Sequence, residues 1–301
     1  MKISELVSML DSPEMLLIRD AEVRGTELCT NIRFDDAITF LGNPKFLSNL
    51  SIARPLSVIC TKETKDLLPE NITGVLVATD PKYTFFCIHN LLYNQLREKK
   101  KTVIGENCLI EDGVIISPFN VVIGDNVSIE SGAIIRENVT IGDGCVIGAG
   151  TVVGGRSFSS TRHNGRTVNL TDCGGVVLGR GVKICSNCHI ACGTLTEDKT
   201  VLDDYCQLDA MVHVGHGTYI GKEAFITAGV MLSGNTIVGD RVWLGVNATI
   251  SNRLEIGNDA RITLGSVVTK DVLTGQTVTG NFAIEHQQFM RNLKKSIQEN
   301  E

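Results

Sequence analysis

The sequence predicts a mainly β fold: a parallel β-helix of hexapeptide repeats, preceded by a small α/β domain and followed by a C-terminal helix. Three observations carry this. From Leu178 to Val268 an aliphatic residue recurs every six positions, through Ile184, Ile190, Leu202, Leu208, Val214, Ile220, Ile226, Leu232, Val238, Leu244, Ile250, Ile256 and Ile262, with Thr196 alone out of pattern. An earlier run has the same period, from Ile104, Ile110 and Ile116 through one residue of slip to Ile123, Ile129, Ile135, Ile141, Ile147 and Val153. Two subsidiary columns accompany it. Gly commonly follows the aliphatic residue (Gly105, Gly124, Gly142, Gly215, Gly221, Gly245), and the fourth position after it is small or aliphatic (Val127, Ala133, Thr151, Thr194, Thr218, Ala224, Ala248, Ser266).

A period of six suits neither an amphipathic helix, with its spacing of about 3.6, nor a strand alternating at two. It fits a coil in which each hexad supplies one short strand and one turn. The Gly column reads as backbone freedom at tight corners. Three hexads close a triangular coil, so residue i is expected beneath residue i+18, with coils about 4.8 Å apart. The aliphatic column is then the core.

Residues 1–98 lack the repeat and read as a separate α/β domain. An amphipathic helix is expected at 3–10, strands at 38–41, 56–61 and 75–78, and a helix at 82–97 burying Phe85, Ile88, Leu91, Leu92 and Leu96 at spacings of three and four. The run Lys99, Lys100, Lys101 reads as a solvated hinge. Residues 99–280 form the β-helix, interrupted at 154–177 by a stretch rich in Gly, Ser, Thr, Asn and Arg, read as a loop on a rigid scaffold where function concentrates. Residues 281–301 hold a terminal helix, expected at 283–297, with Phe289, Leu293 and Ile297 on one side and Arg291, Lys294 and Lys295 elsewhere. It would cap the open end or offer a basic face to an acidic partner.

The 301 residues are 43% hydrophobic and 21% charged, ordinary for a soluble protein. A net charge of −6 argues against nonspecific nucleic-acid binding. No apolar run of about 18 residues and no charged-then-apolar leader is visible, so the expectation is a cytoplasmic protein without a membrane span. Of the ten cysteines, Cys108, Cys145, Cys188 and Cys206 fall in the small-residue column and read as buried fillers, so Cys185, Cys188 and His189 are not expected to hold zinc.

The segment from Ile38 to Phe46 (ITFLGNPKF), followed by a hexapeptide domain containing Gln207 to His216 (QLDAMVHVGH), resembles the UDP-3-O-acylglucosamine N-acyltransferases of lipid A biosynthesis. The likeness is read over nearly the whole chain. It implies a left-handed β-helix, a homotrimer with sites between subunits, and transfer of a 3-hydroxyacyl group from acyl carrier protein to a sugar amine. No bound cofactor is expected; the donor is the 4′-phosphopantetheine thioester of the carrier protein or an acyl-CoA. The resemblance further implies a uracil ring held between Phe40 and Phe46, the latter replacing a usual Tyr, with Asn43 on its edge; stacking survives that change because the π face supplies most of it.

Amide formation from a thioester needs a base for the attacking amine and a donor for the developing oxyanion. His216 matches the family's catalytic histidine and falls two residues after Val214, at a corner. Counting by 18 puts Asp198 and Gly234 in its column, with Arg180, Asn252 and Lys270 continuing a polar groove. Asp198 would orient the imidazole, and Gly234 corresponds to the oxyanion donor. Asp209 matches a family acidic position, with Ala210 after it replacing Asn. His213 stands where Gln is common, and Arg253 where a second His is usual near the substrate phosphates; Arg holds a phosphate at least as well.

The runner-up is an acetyl-CoA-dependent N-acetyltransferase of a nucleotide-linked amino sugar, since 265–272 (GSVVTKDV) looks like the segment such enzymes place near CoA. A zinc-dependent β-helix of the carbonic-anhydrase kind would need three converging histidines, and only His213 and His216 are close in register. A nucleotidyltransferase is disfavoured because no Gly-rich phosphate loop opens the N-terminal domain.

Overall fold

A computed structural model of the chain describes residues 1–10, 14–51, 54–96, 99–280 and 283–298. The N-terminal sheet has strands β1 (Met15–Arg19), β2 (Gly25–Thr26), β3 (Ala37–Phe40), β4 (Leu56–Cys60) and β5 (Ile72–Ala78), in the order β1-β5-β4-β3-β2. β1 is antiparallel to β5 and the remaining pairs are parallel. All five residues of β4 are buried because both faces of the sheet are covered. Helices α1 (Ile3–Leu10) and α2 (Pro81–Leu96) bury Ile3, Leu6, Phe85 and Ile88 against Ile38, Ile59 and Leu76. A 3₁₀ helix, Pro44–Leu50, helps close the other face over Leu56, Val58 and Val75. β1 and β2 are the strands the sequence reading missed: β2 is two residues long, and the antiparallel edge strand β1 is largely exposed. The side chain of Leu96 lies outside the described residues, as does Arg97.

Beyond residue 100 the chain winds as a left-handed parallel β-helix whose three sheets hold nine, eight and eight strands. Pairing follows the predicted i+18 register from Leu202 to Val268: Ile220 opposes Val238 and Leu232 opposes Ile250. Four places depart from it. The 154–177 insertion sets Ile141 opposite Leu178, and the last coil sets Ile262 opposite Val278. The one-residue slip sets Ile110 opposite Ile129. Across Thr196 the offset is 24, because Leu178 opposes Leu202 and Ile190 opposes Val214. The Thr196 hexad is therefore an extra loop bulging from one coil, and its Leu195 buries itself in the core of the N-terminal domain.

The Gly column has a different cause from the one expected. Positive φ occurs two residues later, at Asn235 (58°) and Gly217 (66°) among others. The Gly after the aliphatic residue is instead demanded by close packing of coils: a Cβ on Gly221 would stand 2.5 Å from Asp240 Oδ1, and one on Gly215 2.5 Å from the Gly234 nitrogen. The aliphatic column is buried along the helix, but Ile104 and Ile110 in the first coil are 43% and 37% exposed, because no earlier coil covers them. Cys145, Cys188 and Cys206 are buried in the small-residue column, where burial pushes their thiols up.

Residues 154–177 are more ordered than the loop expected. Val152–Gly155 and Gly175–Leu178 remain in the β-helix, and between them Ser160–His163 pairs antiparallel with Arg166–Asn169. This hairpin leans on α2: Asn90 Nδ2 donates to the Asn169 carbonyl (2.9 Å), the Thr171 N–H donates to Asn90 Oδ1 (2.8 Å), and the His163 ring stacks on Tyr83. The terminal helix α3 spans His286–Gln298, with Phe289 51% exposed; the side chains of Leu293 and Ile297 lie outside the described residues. Among the described residues no helix is long and apolar enough to cross a membrane.

Candidate active site

The strand His213–Val214 ends with the Val214 side chain in the core, and the corner after it carries His216 outward. Gly234 lies one coil along, with the Asn235 N–H donating to the His216 carbonyl (2.7 Å). A Cβ on Gly234 would stand 2.7 Å from His216 Nε2, so the missing side chain is the space the imidazole uses. At another corner the corresponding N–H groups are capped: Lys222 donates to Asp240 Oδ1 and Asp240 to Asn258 Oδ1, both 2.9 Å. The Gly234 N–H makes no such bond among the described residues, leaving a donor beside the imidazole.

His216 lines a cleft of about 830 Å³ between the β-helix and the N-terminal domain, with Phe40, Phe85, Arg33, Phe158, Asp198 and Arg253 among its other walls. Burial holds the His216 imidazole below its ordinary 6.5, against the upward pull of Asp198 and Asp172, while Arg253 pushes it further down. The imidazole is thus neutral and able to take a proton at neutral pH, with two carboxylates near enough to favour its protonated form.

Asp198 is in the cleft but not in the His216 column. The extra hexad shifts the register by six, so Cys192 takes that place in the stack (Ile190 opposes Val214, and each lies two residues before). Asp198 makes no hydrogen bond to His216. Its Oδ1 accepts from Arg33 (2.5 Å), and its Oδ2 accepts from the Thr194 hydroxyl (3.0 Å) and the Leu195 N–H (3.1 Å). His216 Nδ1 is buried without a hydrogen-bond partner, so Asp198 acts on the imidazole through its charge rather than by fixing a tautomer. Arg180 also leaves the predicted column: it pairs with Asp204 (3.0 Å) along another corner. Asn252 and Lys270 are exposed and line no part of this cleft.

Phe40 and Phe46 face different layers of the N-terminal domain. Phe40 packs on Phe85, ring centroids 5.1 Å apart, in the helix-side layer, whereas Phe46 packs in the layer beneath the 3₁₀ helix. Asn43 is exposed, and its Oδ1 caps that helix by accepting from the Lys45 N–H (3.0 Å). Asp209 is exposed on another corner, its Oδ1 accepting from the Ala210 N–H. His213 stacks on His189, centroids 5.2 Å apart, on a sheet face rather than in the cleft. No group of three or more His, Cys, Asp or Glu side chains able to hold a metal occurs among the described residues.

Three residues of this neighbourhood escaped the sequence reading: Glu27, Arg33 and Asp172. The His189–His213 pair is visible in sequence once the offset across Thr196 is taken as 24. Asp172 lies in the segment read as a functional loop. Glu27 and Arg33 carry no motif.

Residues 120–155 match the bacterial transferase hexapeptide family (six repeats), and 235–270 match the hexapeptide repeat of succinyl-transferase. The chain is 28% identical over 215 residues to the UDP-3-O-acylglucosamine N-acyltransferase of Methylobacillus flagellatus. That match takes in 59% of this chain, less than the nearly complete likeness read from the motifs, and the chain spans 57% of that relative's length. The UDP-N-acetylglucosamine acyltransferase of Bacteroides fragilis is similar in structure, with a TM-score of 0.51 and 26% identity over 58% of this chain and 65% of its own. The Arabidopsis UDP-N-acetylglucosamine acyltransferase shares the fold, with a TM-score of 0.51 at 21% identity, covering 64% of this chain and 73% of its own.

Proposed function

We propose that this chain, whose hexads match hexapeptide-transferase repeats over residues 120–155 and 235–270, is an N-acyltransferase acting on the amine of a UDP-linked glucosamine derivative in lipid A biosynthesis. The observation that carries the reading is the pairing of a neutral, half-buried His216 with the unengaged Gly234 N–H at the wall of a cleft roofed by the N-terminal domain. The substrate amine attacks the thioester carbonyl while His216 takes its proton. The Gly234 N–H donates to the oxyanion of the tetrahedral intermediate. Collapse expels the thiolate, which recovers the proton from the imidazolium, leaving an amide and a free thiol. The negative charges of Asp198 and Asp172 stabilise that imidazolium.

The donor in this reading is a 3-hydroxyacyl group on the phosphopantetheine arm of acyl carrier protein. Arg253 on the cleft wall supplies a cation for the diphosphate. Assembly is a homotrimer, supported by the exposed apolar residues Ile115, Met231 and Val267 along one sheet of the β-helix. Purified protein given a 3-hydroxyacyl carrier protein and a UDP-linked 2-amino sugar should form an amide detectable by mass spectrometry. Absence of product with every carrier-linked acyl group would overturn the reading.

A further inference from the structure

The β-helix and the N-terminal domain are tied together at the cleft by a hydrogen-bonded chain of three residues. One Arg33 nitrogen, NH2, donates both to Glu27 Oε2 (2.7 Å) and to Asp198 Oδ1 (2.5 Å), and its NH1 donates to the Glu197 carbonyl (2.7 Å). Glu27 is fully buried. Asp198 already satisfies its second oxygen within its own loop. A surface ion pair of this kind contributes little, but here a buried carboxyl group fixes the guanidinium, and the guanidinium fixes the carboxylate beside His216.

From this geometry we infer that Arg33 and Glu27 are positioning residues for the transfer reaction: Arg33 clamps Asp198 at the cleft wall and offsets part of its charge, and Glu27 clamps Arg33. The bulge that removes Asp198 from the His216 column is what makes the clamp possible. It carries the carboxylate out to the N-terminal domain, where an arginine 165 residues away in sequence can hold it. His216 thereby responds to the N-terminal domain without touching it.

The charged groups that act on His216 are Asp198, Asp172 and Arg253, with His213 nearby; those that act on Glu27 are Arg33, Asp198 and Glu197. Burial outweighs Arg33 at Glu27 and pushes its carboxyl up to about 7. Glu27 therefore holds its proton across the acidic range in which His216 titrates, and Arg33 is the neutralising charge Asp198 meets there. Removing Arg33 exposes His216 to the whole Asp198 anion and makes the imidazole a stronger base.

The test uses the full chain with Arg33→Met and Arg33→Lys. NMR titration of the His216 ring should show its midpoint raised by about half a pH unit or more in Arg33→Met, and closer to wild type in Arg33→Lys, which keeps the charge. This arm is independent of the acyl-transfer reading on which the inference rests. In the transfer assay, Arg33→Met should lower kcat about tenfold or more, move the acid limb of the kcat/KM profile upward with the ring, and leave KM for the acyl donor near wild type. An unmoved ring in both folded variants overturns the inference, as does a moved ring with wild-type kcat. If Arg33→Met does not fold, Arg33→Lys decides: an Asp198 held less firmly predicts a reduced kcat, and wild-type kcat contradicts the clamp.

Discussion

His216 Nε2 occupies the space that a side chain on Gly234 would fill, 2.7 Å from where its Cβ would be. Gly234 has no positive φ, so alanine is compatible with its backbone and the cost falls on the imidazole. Gly234→Ala should keep a melting midpoint near wild type and lose about tenfold or more of kcat, since small displacements of a base are costly. Wild-type turnover would remove the Gly234–His216 contact from the mechanism.

The register makes a prediction about the core. Ile220 is fully buried, with Leu202 and Val238 on its two sides. Ile220→Ala should destabilise by about 2–5 kcal/mol, read from denaturant midpoints. An unchanged midpoint would contradict the stacking.

Asp198→Asn sets an amide among three donors, from Arg33, Thr194 and Leu195. One of them must face the new NH2 group, at a cost of about 1–3 kcal/mol. The coils should remain intact by circular dichroism, while kcat falls and the acid limb of the rate profile moves down with loss of the anion. Full activity would exclude Asp198.

Stability should depend on pH in a direction set chiefly by five groups. Burial holds His89, His189, His213 and His216 below 6.5, so the unfolded chain takes up these protons first. Their contribution is present above pH 6.5 and lost as the pH falls below it. Glu27 runs the other way, since its carboxyl rises from 4.5 to about 7 on folding. Its contribution is complete below 4.5 and lost as the pH rises through 7. Four imidazoles against the Glu27 carboxyl should lower the melting midpoint from pH 6.5 down to about pH 5, more steeply in Glu27→Gln. A midpoint that climbs on acidification would contradict the assignment.

The aliphatic column could be read from sequence because each member faces an interior that admits little else, and six-residue spacing allows one geometry. Thr196 marks where that logic stopped. A threonine in the column signalled an added loop, and counting by 18 across it led to Asp198 where the ladder holds Cys192. Asp198 nevertheless reaches the cleft, through a loop whose path follows from Leu195 seeking the N-terminal core. The corner pair of His216 and Gly234 was legible because no interruption separates them. Glu27 and Arg33 were not, since a contact between domains leaves no local period or spacing. The roles of Phe40 and Phe46 were read from a motif alone, and the layering of the sheet sets the two rings in different clusters.

The central claim is acyl transfer to a UDP-linked amine with His216 as base. Its most direct test is a mass-spectrometric assay crossing UDP- and dTDP-linked amino sugars with 3-hydroxyacyl carrier protein and acetyl-CoA, with His216→Ala alongside. The account predicts an amide formed from carrier protein and the UDP-glucosamine derivative, absent in the variant. Transfer only from acetyl-CoA to another amino sugar, or product formed equally by His216→Ala, would contradict it.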